Sequence, residues 1–316
     1  MNQDVYVFDI GLRTRFRGIT RRQGMVWRGP AGWAEWSPFL DYHGDELRPW
    51  LAAAEEAAGL GFPPPVRDRI PVNCTIPALD PEASRALAAE SGCATAKIKV
   101  AEPGQTLADD LARVEAVRDA LGPDGAVRVD ANGGWSPDEA IVALRELGRF
   151  DIEYAEQPVA DVEDLARLRR ELVRRGISVP IAADESIRRS GDPERVAELA
   201  AADVAVLKVQ PLGGVRRCLE LADVLGLPVV VSSALETSIG LAAGVALAAA
   251  LPELPYACGL NTRALLTDDL VTDSLRAVDG AIDVRTVEAD ATALDRCAAS
   301  AEDTGRWLRR HAETRA

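Results

Sequence analysis

The runs AKIKV (residues 96–100), AVRVDAN (126–132), DIEYAEQP (151–158), VPIAADES (179–186) and VAVLKVQP (204–211) decide how this chain folds. Each is short, apolar and rich in strand-forming residues, and each carries a charged residue at its end: Lys99, Asp130, Glu156, Asp184 and Lys208. A segment with helical spacing follows every run, and the charges recur roughly every 25 to 30 residues, the length of one strand–helix unit. That cadence predicts a parallel barrel, in which all strands open their C-terminal ends on one face. Three carboxylates and two lysines remote in sequence then converge on one site.

Outward from these runs the alternation continues. IPVNCTI (70–76) reads as an earlier strand, followed by a helix over Pro81–Ser91 with Asp80 as N-cap. Helices are expected over Leu107–Leu121, after Ser136 and Pro137 with Gly148 near the end, and over Val162–Arg175, Pro193–Ala200 and Val215–Leu225. Pro228–Ser232 gives a seventh strand, Ile239–Leu251 its helix and Tyr256–Cys258 a short eighth strand. Upstream, Val5–Leu12 and Gly24–Trp36 read as strands joined by a polar, turn-rich segment, Arg13–Gln23, and Asp45–Ala58 as a helix. GLGFPPP (59–65) breaks the pattern. After Leu260 the rhythm stops; Ala281–Val287 looks like a strand and Ala291–Ala312 like a helix. The expected partition is an α+β cap over residues 1–70, a barrel over 71–260 and a tail over 261–316 that packs back on the cap.

Composition narrows the function. A net charge of −14 and a pI near 4.8, with no basic stripe, argue against nucleic acid or an anionic membrane as partner. An anionic small molecule would need local attraction. The five scattered cysteines lack CxxC spacing, which points to a reducing, cytoplasmic setting without a zinc site or disulfide framework. The start MNQDVYVFDIG, with Asp4 and Asp9, has no secretory character, and Ile239–Leu251 is too short for a bilayer span, which takes about 20 residues. The sequence leaves the oligomeric state open.

Period-two alternation puts Lys97 with Lys99, Arg128 with Asp130 and Asn132, and Lys208 with Gln210 on the inward face. An isolated carboxylate at a strand end is more often a cap; Asp130, Glu156 and Asp184 on consecutive strands instead make a set of hard oxygen donors suited to Mg²⁺. Lys97 beside Lys99 favours a neutral amine at Lys99, the form a base needs, and Lys208 reaches in from the opposite side. The bland alternative is that the lysines merely pair with the carboxylates. Gly213 with Gly214, and Ser232 with Ser233, lie at loop-to-helix junctions where backbone N–H groups can hold an anion. Arg128 contacts substrate or braces Asp130. His43 and His311 lie outside the barrel run, so a histidine base is not expected.

These residues carry a resemblance. The K-x-K of Lys97-Ile98-Lys99, Asp130-Ala131-Asn132, Glu156-Gln157-Pro158, Asp184-Glu185-Ser186 and Lys208-Val209-Gln210-Pro211 together resemble the enolase superfamily, in its muconate-lactonizing enzyme subgroup, over nearly the whole chain. FRGITRRQG (16–24) with GWAEWSPF (32–39) is similar to the mobile cap loop of the subgroup's dehydratases. The resemblance implies an α/β fold, a (β/α)7β TIM-like barrel with an α+β cap, and Mg²⁺, or Mn²⁺ in its place, on Asp130, Glu156 and Asp184. It implies Lys99 as general base and Lys208 as the opposing cation. The implied reaction is dehydration of a cyclohexadiene carboxylate on the route to menaquinone.

The same two-lysine site also suits N-succinylamino acid racemization or dipeptide epimerization. Epimerases of the subgroup carry Asp-x-Asp at the eighth strand, where this chain reads Ala257-Cys258-Gly259-Leu260-Asn261. Lys208 as a Schiff-base lysine is a third chemistry, and it leaves the carboxylates without a job.

Overall fold

The computed structural model describes residues 5–189 and 193–315; Met1 to Asp4, part of the N-terminal reading, lie outside them. Seven short parallel strands form one curved sheet: β5 (Cys74–Ile76), β6 (Thr95–Lys99), β7 (Ala126–Asp130), β8 (Ile152–Glu156), β9 (Ile181–Ala183), β10 (Val204–Lys208) and β11 (Val229–Ser232). They follow one another in chain order, each paired with the next. Residues 258 and 259 close the ring. Cys258 bridges Val72 on one side and Gly259 bridges Ser232 on the other, so the short eighth strand expected at Tyr256–Cys258 is present as two parallel bridges. Every residue of β6 and β10 is buried, as it must be where helices cover one side of a strand and side chains fill the other.

The helices obey the same demand. In Val162–Arg174 the buried residues Leu165, Ala166, Leu168 and Leu172 form one stripe, while Ser238–Ala250 is apolar all round and buried on nearly every side. The outer core runs between strands and helices; a smaller cluster of Tyr154, Ala182, Val204, Val206 and Val230 plugs the barrel interior below the strand ends.

The cap is an antiparallel sheet of β1 (Val5–Phe16), β2 (Ile19–Arg28) and β3 (Trp33–Trp36), backed by the helix Leu47–Gly59. Arg13–Gln23 is therefore not a turn-rich joint. It is a continuous hairpin turning at Arg17-Gly18, both at positive φ, and its strands look polar in sequence because much of this hairpin end is solvent-facing. The cap's core takes in Leu294, Cys297 and Trp307 from the tail, with Trp36 and Trp307 packed edge to face at 5.6 Å.

The strand expected over 281–287 is shorter. β4 (Arg69–Pro71) and β12 (Ala281–Asp283) pair antiparallel, and their Ile70 and Ile282 join the barrel core instead of the cap core. The helix expected over 291–312 splits into Ala291–Arg296 and Ala301–Arg315. Between them the chain runs alongside β1: Asp9 N–H donates to Cys297 O at 2.9 Å and Ala299 N–H to Val7 O at 2.9 Å.

Candidate active site

At the strand ends the three carboxylates come together, each 1% exposed or less. Parallel register fixes this: Lys99 pairs with Asp130, and Asp130 with Glu156, across β6, β7 and β8. Each carboxylate is met by an ammonium group. Lys99 Nζ donates to Asp130 Oδ2 at 2.6 Å and to Asn132 Oδ1. Lys97 Nζ donates to both Glu156 oxygens at 3.0 Å and lies 3.1 Å from Asp130. Lys208 Nζ donates to Asp184 Oδ2 at 2.6 Å from the far side. Lysine ammonium groups lie against all three carboxylates, and among the described residues no group of three or more His, Cys, Asp or Glu is arranged to hold a metal ion.

The electrostatics are those of a crowded, dry site. Burial works to raise Asp130, but Lys99 and Lys97 outweigh it and hold the carboxyl well below the usual range. Asp184 is likewise held low against burial by Arg188 and Lys208. Glu156 goes the other way: burial and the neighbouring Asp130 push it up to about 7 despite Lys97. Burial lowers Lys208, with Asp184 opposing; for Lys97, Glu156 and Asp130 overcome burial and raise it. Lys97 is clamped between Asp130 and Glu156, its ammonium group paired with both carboxylates.

Three buried carboxylates at the ends of consecutive strands are hard oxygen donors and fit a divalent cation. Asp130, Glu156 and Asp184 would hold it.

The cavity over this cluster is lined by Lys97, Lys99, Asp130, Asn132, Lys208, Ser232 and Ser233, and by cap residues Phe16, Arg17, Phe39 and Tyr42. Two sequence expectations fail. Arg128 neither reaches the cavity nor braces Asp130; it is fully buried a layer lower, donating to Ala257 O at 2.6 Å and to Glu153, with its guanidinium 4.8 Å from the Tyr154 ring. Alternation gave its face correctly but not its depth. Gly213 and Gly214 are also not a substrate cradle: the N-terminus of helix Val215–Leu225 is occupied by Glu56, whose carboxylate accepts from Val215 N–H at 2.7 Å and Arg216 N–H at 3.2 Å.

Sequence reading missed Arg188 and Thr262. Arg188, buried, donates through Nε to Asp184 Oδ1 at 2.8 Å and through Nη1 to the Tyr42 hydroxyl, tying the cap to the third carboxylate. Its i,i+4 spacing from Asp184 was the available signal. Thr262 shares a hydrogen bond with Ser233 beside the cavity, and nothing in its polar, turn-like surroundings marked it. Asn132 holds its place at φ +45, with Nδ2 donating to Glu185 Oε1 at 3.2 Å.

Barrel, cap and strand-end charges together define an enolase-superfamily architecture, and residues 81–288 match the family model described as Enolase C-terminal domain-like while residues 7–58 match Enolase N-terminal domain-like. The muconate lactonizing enzyme from Pseudomonas fluorescens, solved with muconolactone, superposes with a TM-score of 0.80 over 94% of this chain and 98% of that one, at 22% identity. The N-succinyl Arg/Lys racemase from Bacillus cereus does so at 0.79 over 95% and 99%, at 21% identity, and both likenesses speak to the fold. The o-succinylbenzoate synthase of Thermobifida fusca is 60% identical over 98% of this chain and 95% of its own, and that of Mycolicibacterium smegmatis 48% identical over 97% and 93%. The chain belongs to the enolase superfamily and, within it, to the o-succinylbenzoate synthase family. Enzymes of this superfamily typically use a divalent metal and act on small molecules. Among the described residues no helix is long and apolar enough to cross a membrane.

Proposed function

We propose that this protein dehydrates 2-succinyl-6-hydroxy-2,4-cyclohexadiene-1-carboxylate to o-succinylbenzoate, a carbon–oxygen lyase step in menaquinone biosynthesis, in the cytoplasm. The observation that carries the reading is the pair of lysines on opposite sides of three buried carboxylates, in a chain 60% identical to a named o-succinylbenzoate synthase. Mg²⁺, or Mn²⁺ in its place, held by Asp130, Glu156 and Asp184, would supply the positive charge that makes the proton beside the substrate carboxylate acidic.

The chain's own residues do the rest. Lys99, once it has given up one ammonium proton to solvent and left Asp130 as a neutral amine, takes the proton from the carbon next to the carboxylate, and the electron pair is left as an enediolate. Lys208 faces the opposite side as a cation and stabilises that negative charge. The enediolate collapses, the ring carbon–oxygen bond breaks, and Lys99 returns its proton to the departing hydroxide, so that water leaves and the ring becomes aromatic. Lys97 stays fixed on Glu156 and Asp130 and offsets their mutual repulsion. Phe16 and Phe39 of the cap, over the site, limit water at the enediolate. Asn132 orients the Lys99 amine, and Ser232 and Ser233, at the cavity wall, are placed to hold polar substrate groups.

We also propose a partition into a cap from residues 1–70 and 261–316 on a barrel of 71–260, with the β4–β12 pair at the joint packing Ile70 and Ile282 into the barrel core. Incubating the purified protein with the cyclohexadiene and Mg²⁺ tests the reading: appearance of the aromatic product supports it, and an unchanged substrate rejects it.

A further inference from the structure

Arg22, on β2 of the cap, is 2% exposed, and two of its donors end on carbonyls of residues that line the cavity, Ala234 and Leu235. Nε donates to Leu235 O at 2.9 Å, while Nη2 donates to Ala234 O at 3.2 Å, to Ser37 Oγ at 2.9 Å and to Ser37 O. Its guanidinium also lies 4.4 Å from the centre of the Phe39 ring. Phe39, Ala234 and Leu235 all line the cavity over the strand ends. One side chain therefore grips both the roof contributed by the cap and the wall contributed by the barrel, 213 positions later in sequence.

That wall holds an uncommon backbone conformation. Leu235 has φ +64, a left-handed conformation that a branched side chain rarely adopts. Its backbone is pinned group by group: Leu235 N–H donates to Ser233 Oγ at 3.2 Å, Ala234 N–H donates to Glu236 Oε2 at 2.8 Å, and both carbonyls accept from Arg22. A second grip lies alongside. Glu35 on β3 accepts from Thr237 N–H at 3.1 Å, Thr237 Oγ1 at 2.6 Å and Gly240 N–H at 3.1 Å, capping the helix that follows the wall. Ser37 N–H donates to Gln210 Oε1 at 3.3 Å, which extends the joint to the residue two beyond Lys208.

We propose that Arg22 is a positioning residue for substrate selection: it locks Phe39 and the Ala234–Leu235 wall into one geometry, so the part of the substrate remote from the reacting carbon meets a surface formed only while the cap is docked. The inference rests on the dehydratase reading given above and adds a determinant of specificity to it. Arg22 touches neither the lysines nor the carboxylates in the hydrogen bonds described, so the binding energy it controls is that of the remote part of the substrate.

The test compares wild type with Arg22→Lys, Arg22→Met and Ser37→Ala in steady-state kinetics, with Mn²⁺ binding followed by electron paramagnetic resonance. Lysine cannot span Ser37 and Leu235 together. The expected result is a KM raised about tenfold or more in both Arg22 variants, and by less in Ser37→Ala, with kcat held within about threefold and Mn²⁺ affinity unchanged. A purely structural role would lower the active fraction, and so kcat and melting temperature, at an unaltered KM. An unaltered KM in folded Arg22→Lys overturns the inference while leaving the dehydratase reading intact. Absence of turnover in the wild type overturns that reading and this inference with it.

Discussion

Lys99 sits 2.6 Å from Asp130 Oδ2 and also donates to Asn132, so the proposed base is held in place by the group it would leave in order to act. Replacing Lys99 with Ala should lower kcat by about 10² to 10⁴, the range of a lost general base, while Mn²⁺ binding persists, since the carboxylates are untouched. Loss of both together would make Lys99 a structural counter-ion instead. Glu35 supplies a second expectation at this scale. Burial pushes it up to about 7, against the pull of Ser37, Thr237 and Arg22. Its folded value lies above the ordinary one, so the folded state binds more protons and the contribution to stability is complete below about 4.5 and lost as pH rises through about 7. Glu236 is raised also by burial, and with Glu156 it adds to the same slope. In metal-free buffer the melting temperature should therefore fall between pH 5 and pH 8, and Glu35→Gln should make that fall shallower, by up to ~3 kcal/mol in stability. An unchanged slope would contradict the assigned ionisation. The charged strand ends were legible because period-two alternation and a repeating unit length both mark them. Arg128 was misread because alternation tells which face a side chain takes and not how deep in the barrel it lies. The i,i+4 spacing of Arg188 from Asp184 was legible, but its link to the cap through Tyr42, 146 positions away, was not.

Among the elements, the helix Val215–Leu225 shows how a sequence-level anion site can be filled from within. Its N-terminus has no side-chain cap of its own, and Glu56 of the cap helix supplies one, with an added 2.6 Å ion pair to Arg216. Glu56→Ala should cost about 1 to 2 kcal/mol and lower the melting temperature by about 2 to 4 °C by calorimetry. No change would mean that water replaces the carboxylate without loss. Gly214 cannot be exchanged instead, since a Cβ there would lie 1.9 Å from Glu56 Oε2 and φ is +121. Most barrel helices were legible from spacing and caps: Leu107–Leu121 and Val215–Leu225 have the expected bounds, and Ser136 with Pro137 opens its helix as read. The hairpin over 13–23 was not, because a strand with much of its surface in water has no apolar alternation to display. The break at Cys297–Ser300 was hidden for a related reason: pairing with β1 overrides a helical pattern, and long-range pairing leaves no local trace.

At the scale of the molecule, two cores meet at the site, one of the barrel and one shared by the cap and the tail. The cap's Tyr42 reaches Arg188 and its Arg22 reaches the wall after β11, while Arg310 of the last helix donates to Pro38 O, Phe39 O and Tyr42 O. The last helix, cap and strand ends are thus mechanically one unit, which a reading of local pattern could place in order but not join. The measurement that bears most directly on the central claim is turnover of 2-succinyl-6-hydroxy-2,4-cyclohexadiene-1-carboxylate, with and without EDTA, run beside exchange of the α-proton of N-succinylamino acids in D₂O. The two-lysine, three-carboxylate site predicts dehydration that stops on chelation and returns with Mg²⁺, with little exchange. Efficient exchange without dehydration would contradict it and make Lys99 and Lys208 the paired bases of a racemase.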